Sequence, residues 1–282
     1  MKVELSDTRL HVVERGGDGV PVLVVHGGPG LDHHMFGDYL DPLGEELHLV
    51  FVDLRANGLS DKAPPATWTL ERMAADLSEL AAAMGFERYA TLGHSYGAFV
   101  VLQHAVDFAG EPAATIVSSG VPSVRYLAAV QDNLAAFEPV ELREQVTSSW
   151  AREAEAQTQE DCAALLHDQL PFHFADPLDP RIDEFEERTE GGVYAPDVLR
   201  HFATADYGAI EAEDRLGSVI HPVLVLAGRH DRTCVVEGGE AIAAGIPGAE
   251  LVVFEASGHM AFAEENDAYL SAVRRFLQSV PY

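Results

Sequence analysis

Positive charge is scarce in this chain. Lysine occurs twice, at Lys2 and Lys62, and basic residues number only 18 against 46 acidic ones, a formal net charge of −28 over 282 residues. Such a surface repels nucleic-acid phosphates and anionic membrane surfaces, so neither is expected as a partner; the simplest service of the acidity is solubility. Cysteine is equally sparse. Cys162 and Cys234 lie far apart in a chain long enough to bury a core without a covalent staple, so free thiols are expected and a reducing cytoplasm fits. No segment approaches the roughly 18 apolar residues of a membrane span. The opening MKVELSDTRLHVVERGG lacks the basic stretch and apolar run of an export signal, so a soluble, unexported protein is expected. Fixed-period repeats and low-complexity tracts are also missing, which leaves the order of elements as the useful signal.

That order alternates. VPVLVVH (20–26), LHLVFVDL (47–54), RYATLG (88–93), AATIVSS (113–119), HPVLVLAG (221–228) and AELVVFEA (249–256) are apolar runs of the kind that parallel strands covered on both faces require, and RLHVVER (9–15) reads as an edge strand. Helical patterns lie between them. In LERMAADLSELAAAMG, Leu70, Met73, Leu77, Leu80 and Met84 share one face, with Thr69 as N-cap and Gly85 as the stop; the last helix aligns Tyr269, Leu270, Val273, Phe276, Leu277 and Val280. Strand and helix in alternation predict an α/β, doubly wound sheet. From about Val121 to Arg215 the alternation lapses into helical stretches without a credible central strand. The predicted organisation is a core of residues 1–120 and 216–282 with a helical lid, 121–215, inserted between its halves.

The strongest local signal is Gly93-His94-Ser95-Tyr96-Gly97, a G-x-S-x-G between an apolar strand and a helical run. A strand turning this sharply into a helix crowds its own backbone, so small residues flank the serine, whose hydroxyl stands at the helix N-terminus. A serine hydroxyl needs a base to take its proton and an acid to orient that base. Both follow in order: Asp231 just after the strand at 221–228, and His259 just after the strand at 249–256, at the carboxyl ends of successive strands, where open α/β sheets place their sites. Ser95, His259 and Asp231 are therefore the predicted nucleophile, general base and orienting acid. His26-Gly27-Gly28-Pro29-Gly30 ends an earlier strand and offers backbone N–H groups for an oxyanion, with Tyr96 as first donor and Gly28 as second; Pro29 has no N–H to give. Of the other histidines, His94 and His230 adjoin this machinery and are expected to shape it. His33 and His34 lack a third ligand at a helpful spacing, so no metal is expected, and no cofactor.

HGGPG (26–30), DLRANGLSD (53–61), GHSYG, GRHD (228–231) and SGHM (257–260) together resemble the proline iminopeptidase branch of the α/β-hydrolases, serine aminopeptidases that release N-terminal residues from peptides. The resemblance spans residues 9–120 and 216–280. It implies the α/β-hydrolase fold, a mostly parallel central sheet with helices on both faces and an inserted helical lid, and an acyl-enzyme route on a small peptide or ester substrate. Two departures stand out: Ala56 replaces the first glycine of the usual D-x-R-G-x-G-x-S, and Tyr96 follows the serine where many members carry tryptophan. That branch reads a free ammonium with lid carboxylates, and residues 122–215 hold 7 arginines and no lysine against 21 Asp and Glu, a net of −14. SSWAREAEA (148–156) resembles the family's tryptophan-glutamate segment, which makes Glu153 the implied amine anchor beside Trp150. Trp150, Phe172, Phe174, Tyr194 and Tyr207 are candidates for the wall of an apolar pocket. A carboxylesterase or lactonase with the same triad, and a receptor that keeps the fold but only binds, stay open as alternatives.

Overall fold

The computed structural model describes residues 1–280. Its centre is an eight-stranded sheet built from Lys2–Glu4 (β1), Arg9–Gly16 (β2), Pro21–Val25 (β3), His48–Val52 (β4), Ala90–His94 (β5), Ala114–Ser118 (β6), Val223–Gly228 (β7) and Glu250–Phe254 (β8). The spatial order is β1-β2-β4-β3-β5-β6-β7-β8. β1 and β2 run antiparallel to their neighbours and every other pairing is parallel. The strand expected at the edge, residues 9–15, is instead second from it. β1 covers it, and three residues are too few to show a periodicity.

Strand alternation divides the core between the two faces. Leu23 and Val25 join one cluster with Met73 and Leu77 of Leu70–Ala83 (α1), Val100 and Val101 of Tyr96–Asp107 (α2) and Ile242 of Val236–Gly245 (α8). Val22 and Val24 join the other with Tyr269, Val273 and Phe276 of Asn266–Ser279 (α10). With both faces covered, β5, β6 and β7 are buried at every residue, the reason their sequences read as unbroken apolar runs. The predicted cap of α1 forms: the Thr69 hydroxyl accepts the Arg72 N–H at 3.2 Å, and Gly85, at φ +75°, lies just beyond the helix end. Buried Asp76 on α1 pairs with Arg55, whose guanidinium also reaches Asp7, and this fixes the segment 53–61 over the end of β4. Within that segment Ala56 holds φ +64°, the left-handed region that glycine enters most easily.

Between β6 and β7 the chain forms Ala129–Ala135 (α3), Val140–Arg152 (α4), Gln159–His173 (α5), Arg181–Arg188 (α6) and Pro196–Ala203 (α7), and adds no strand to the sheet. Part of this segment has a small core of its own, in which Val130, Leu134, Phe137, Val146 and Phe172 meet. No helix among the described residues is long and apolar enough to cross a membrane.

Candidate active site

Ser95 sits between β5 and α2 at φ +56° and ψ −119°, the geometry of the first central position of a type II′ turn, which glycine ordinarily fills and which strains a serine. Its neighbours explain how this is held. A Cβ on Gly93 would lie 2.1 Å from the Gly97 carbonyl, and one on Gly97 would lie 2.3 Å from the Val25 carbonyl, so both positions admit only glycine. The loop after β3 comes just as close: a Cβ on Gly27 would stand 2.9 Å from Ser95 Cβ. Gly28, at φ +51°, and Tyr96 both line the cavity beside Ser95, and neither backbone N–H has a partner among the described residues. Gly27 and Gly30 are already engaged, donating to Met35 Sδ and Asn57 Oδ1.

Asp231 follows β7. Its Oδ1 accepts the backbone N–H groups of Thr233 and Cys234 at 2.8 and 2.9 Å, and its Oδ2 meets His259 Nδ1 at 2.7 Å. His259 follows β8 and is fixed from both sides of its own backbone: its N–H donates to the His173 carbonyl at 2.6 Å, and its carbonyl accepts the Ser119 hydroxyl at 3.0 Å. The two loops touch closely enough that a Cβ on Gly228 would fall 1.9 Å from the Gly258 carbonyl. Ser95 and His259 line one cavity, and the Asp231 carboxylate lies behind the histidine. His94 and His173 flank His259 with ring centroids 4.9 and 5.0 Å away. Burial first, then the adjacent His259, holds both imidazoles well below their ordinary pKa. His230, expected to help shape the site, instead points its side chain to solvent.

The cavity has a volume of about 620 Å³ and lies between the sheet's carboxyl ends and the helices that precede β7. Of the five aromatic candidates, Trp150 and Tyr207 line it; Phe172 and Phe174 are fully buried in packing, and Tyr194 packs beside Cys162 and Leu165. The 21 carboxylates of residues 122–215 contribute two side chains to its wall, Glu153 and Asp206. Glu153 is 5% exposed, just beyond α4. Its Oε1 accepts Gln169 Nε2 at 2.7 Å and its Oε2 accepts the Tyr207 hydroxyl. Burial pushes its carboxyl up from the ordinary value, against the pull of those two hydrogen bonds. Asp206, Tyr207 and Ala209 all hold positive φ, a strained stretch that composition gave no means of finding. The indole N–H of Trp150 is buried without a hydrogen-bond partner among the described residues.

Residues 20–266 match the family described as alpha/beta hydrolase fold, and the chain belongs to it. It is 27% identical over 272 residues to the proline iminopeptidase of Saccharolobus solfataricus, covering 92% of this chain and 85% of that protein. Among solved structures, an alpha/beta fold family hydrolase from Bacillus anthracis str. Sterne is similar with a TM-score of 0.82 at 22% identity, covering 98% of each chain. A thermophilic esterase from Thermogutta terrifontis is similar with a TM-score of 0.78 at 23% identity, covering 99% of this chain and 98% of that one. At such identities the two structures carry the fold alone.

Proposed function

We propose that the protein is a serine hydrolase that removes N-terminal residues from peptides or amino-acid amides through an acyl-enzyme. The observation that carries the proposal is the 2.7 Å contact between His259 and Asp231 on the wall of the cavity that also holds Ser95. His259 takes the Ser95 proton as the hydroxyl oxygen attacks the substrate carbonyl, and Asp231 holds the imidazole in place. The oxyanion that forms accepts the unpaired N–H groups of Tyr96 and Gly28. The imidazolium returns its proton to the leaving amine. Water, deprotonated by His259, then releases the acyl group and restores Ser95.

The aminopeptidase part rests on Glu153, with Asp206 as a second carboxylate. A buried carboxyl whose present partners are neutral gains from an ammonium placed beside it, because a charge-assisted hydrogen bond in a desolvated site outweighs one made in water. The similarity to a proline iminopeptidase supports this reading. The apolar stretches of the wall, Phe99, Leu127, Val130 and Leu134 among them, favour a second reading, an esterase acting on a neutral acyl group with the same triad. The kinetics of Glu153→Gln decide between them. On a free-amine amino-acid amide kcat/KM should fall tenfold or more, about 1.4 kcal/mol per tenfold, while hydrolysis of a neutral ester barely changes. An equal loss on both substrates makes Glu153 structural, and N-acylated amides that react as well as free amines replace the aminopeptidase with the esterase.

A further inference from the structure

His33 and His34 were expected to lack a third ligand at a helpful spacing, but Asp32, next to them in the chain, places a carboxylate oxygen within 4.8 Å of a ring nitrogen of each. Folding brings a second, more buried set to His33 from elsewhere. His11 on β2, His33 in the short 3-10 turn His33–Phe36 after the glycine loop, and Asp53 immediately after β4 close on one another from three separate segments. One potential ligand atom from each lies within 4.8 Å of those of the other two. His33 Nδ1 stands 2.7 Å from Asp53 Oδ1 and His11 Nδ1 stands 3.2 Å from Asp53 Oδ2, with the two rings 5.5 Å apart.

We propose that His11, His33 and Asp53 form a binding site for a divalent transition-metal ion of the zinc class. Around a tetrahedral zinc with ligand bonds of about 2.0–2.2 Å, neighbouring ligand atoms are roughly 3.3 Å apart, so the contacts of 2.7 and 3.2 Å need little opening to admit the ion. Two imidazoles and one carboxylate with a fourth position left for water suit zinc, whereas calcium and magnesium take all-oxygen shells. The carboxylate is oriented by main chain, since Asp53 Oδ1 accepts the His33 N–H at 3.0 Å and Oδ2 the Leu59 N–H at 2.9 Å. The His11 side chain is 15% exposed and gives the ion a way in. Bound there, the ion ties β2 and the end of β4 to the turn that follows the loop carrying Gly28, so its effect is on the rigidity of that corner.

The test uses the full chain, stripped with a chelator and titrated with zinc chloride by calorimetry and thermal unfolding. One ion should bind per chain, and at a hundredfold excess over Kd the midpoint of unfolding should rise by about 5 °C. Cobalt(II) added to the stripped protein should show intense visible absorption bands of a low-coordinate site. His11→Ala and His33→Ala should each abolish the binding and the shift, while His259→Ala, which removes another buried histidine with a carboxylate partner, should leave both intact. Should His33→Ala fail to fold, His11→Ala alone decides, because its ring is partly exposed on a strand that does not depend on it. No binding by the stripped protein overturns the proposal. So does binding that survives His11→Ala, whether the ion then sits at His33 with Asp32 and His34 or at His259.

Discussion

Glu264 is the buried carboxyl whose titration the structure makes most consequential. It ends the short helix Ala261–Glu264 (α9), 6% exposed, and bridges two segments of the site: Oε1 accepts the Ala175 N–H at 2.7 Å and Oε2 accepts the Gly258 N–H at 2.8 Å, one residue before His259. Burial pushes its pKa up to about 7, against the pull of those two backbone N–H groups, while in the unfolded chain it titrates near 4.5. Between these values the native state holds a proton that the unfolded state has released. Stability from this group is therefore complete below 4.5 and is lost as pH rises through 7. A gap of roughly 2.5 units at about 1.4 kcal/mol each is about 3 kcal/mol, of which about 2.5 kcal/mol disappears between pH 5 and pH 8. Glu264→Gln removes the titration. Its amide nitrogen cannot accept from a backbone N–H, so at pH 5 the variant should be less stable than the parent by about 1–3 kcal/mol. At pH 8 that deficit should vanish or reverse. Urea unfolding of both proteins at the two pH values measures the double difference, in which every other titrating group cancels. Two parallel pH profiles, with a double difference below about 1 kcal/mol, would refute the reasoning and mean that Glu264 is ionised throughout.

Two further outcomes follow from the site's construction. Ser95→Ala should abolish covalent labelling by an organophosphonate and leave the unfolding midpoint within a degree or two, because the side chain touches little; labelling that persists assigns the nucleophile elsewhere. Gly228→Ala should destabilise the fold by about 1–3 kcal/mol and lower turnover together, since its Cβ would meet the Gly258 carbonyl at 1.9 Å and force the His259 loop outward. An alanine variant with parental stability in urea would show that the two loops are not held by that contact.

What could be read in the sequence, and what could not, follows the range of the constraint behind each residue. The strands of the sheet and Gly93 answer to local demands: a buried strand must be apolar along its length, and a Cβ at position 93 would meet the Gly97 carbonyl four residues on, whereas position 97 is closed by the Val25 carbonyl at the end of β3. Local demands leave local marks. β1 left none because it is three residues long, and His230 misled because adjacency to Asp231 in sequence says nothing of the direction in which a loop side chain points. The cluster of His11, His33 and Asp53 was invisible for another reason. Its members are 22 and 20 residues apart and belong to different elements, so only the order of strands in the sheet brings them together.

The wall opposite the triad is the hardest part to read, for a reason built into its composition. Residues 122–215 carry 21 carboxylates, and nearly any helix there shows a charged face. Glu153 faces the cavity while Glu155 and Glu160, close by in the chain, are solvated, and nothing in their residue type separates them. What separates them is tertiary: Glu153 has Gln169 of α5 on one oxygen and Tyr207, from the stretch of positive φ after α7, on the other. A net charge of −14 thus describes the outside of these helices more than the inside of the cavity. Selection of substrate by charge, if Glu153 and Asp206 exercise it, acts through two side chains placed by packing, and the remaining carboxylates add only a field that salt screens within about 10 Å.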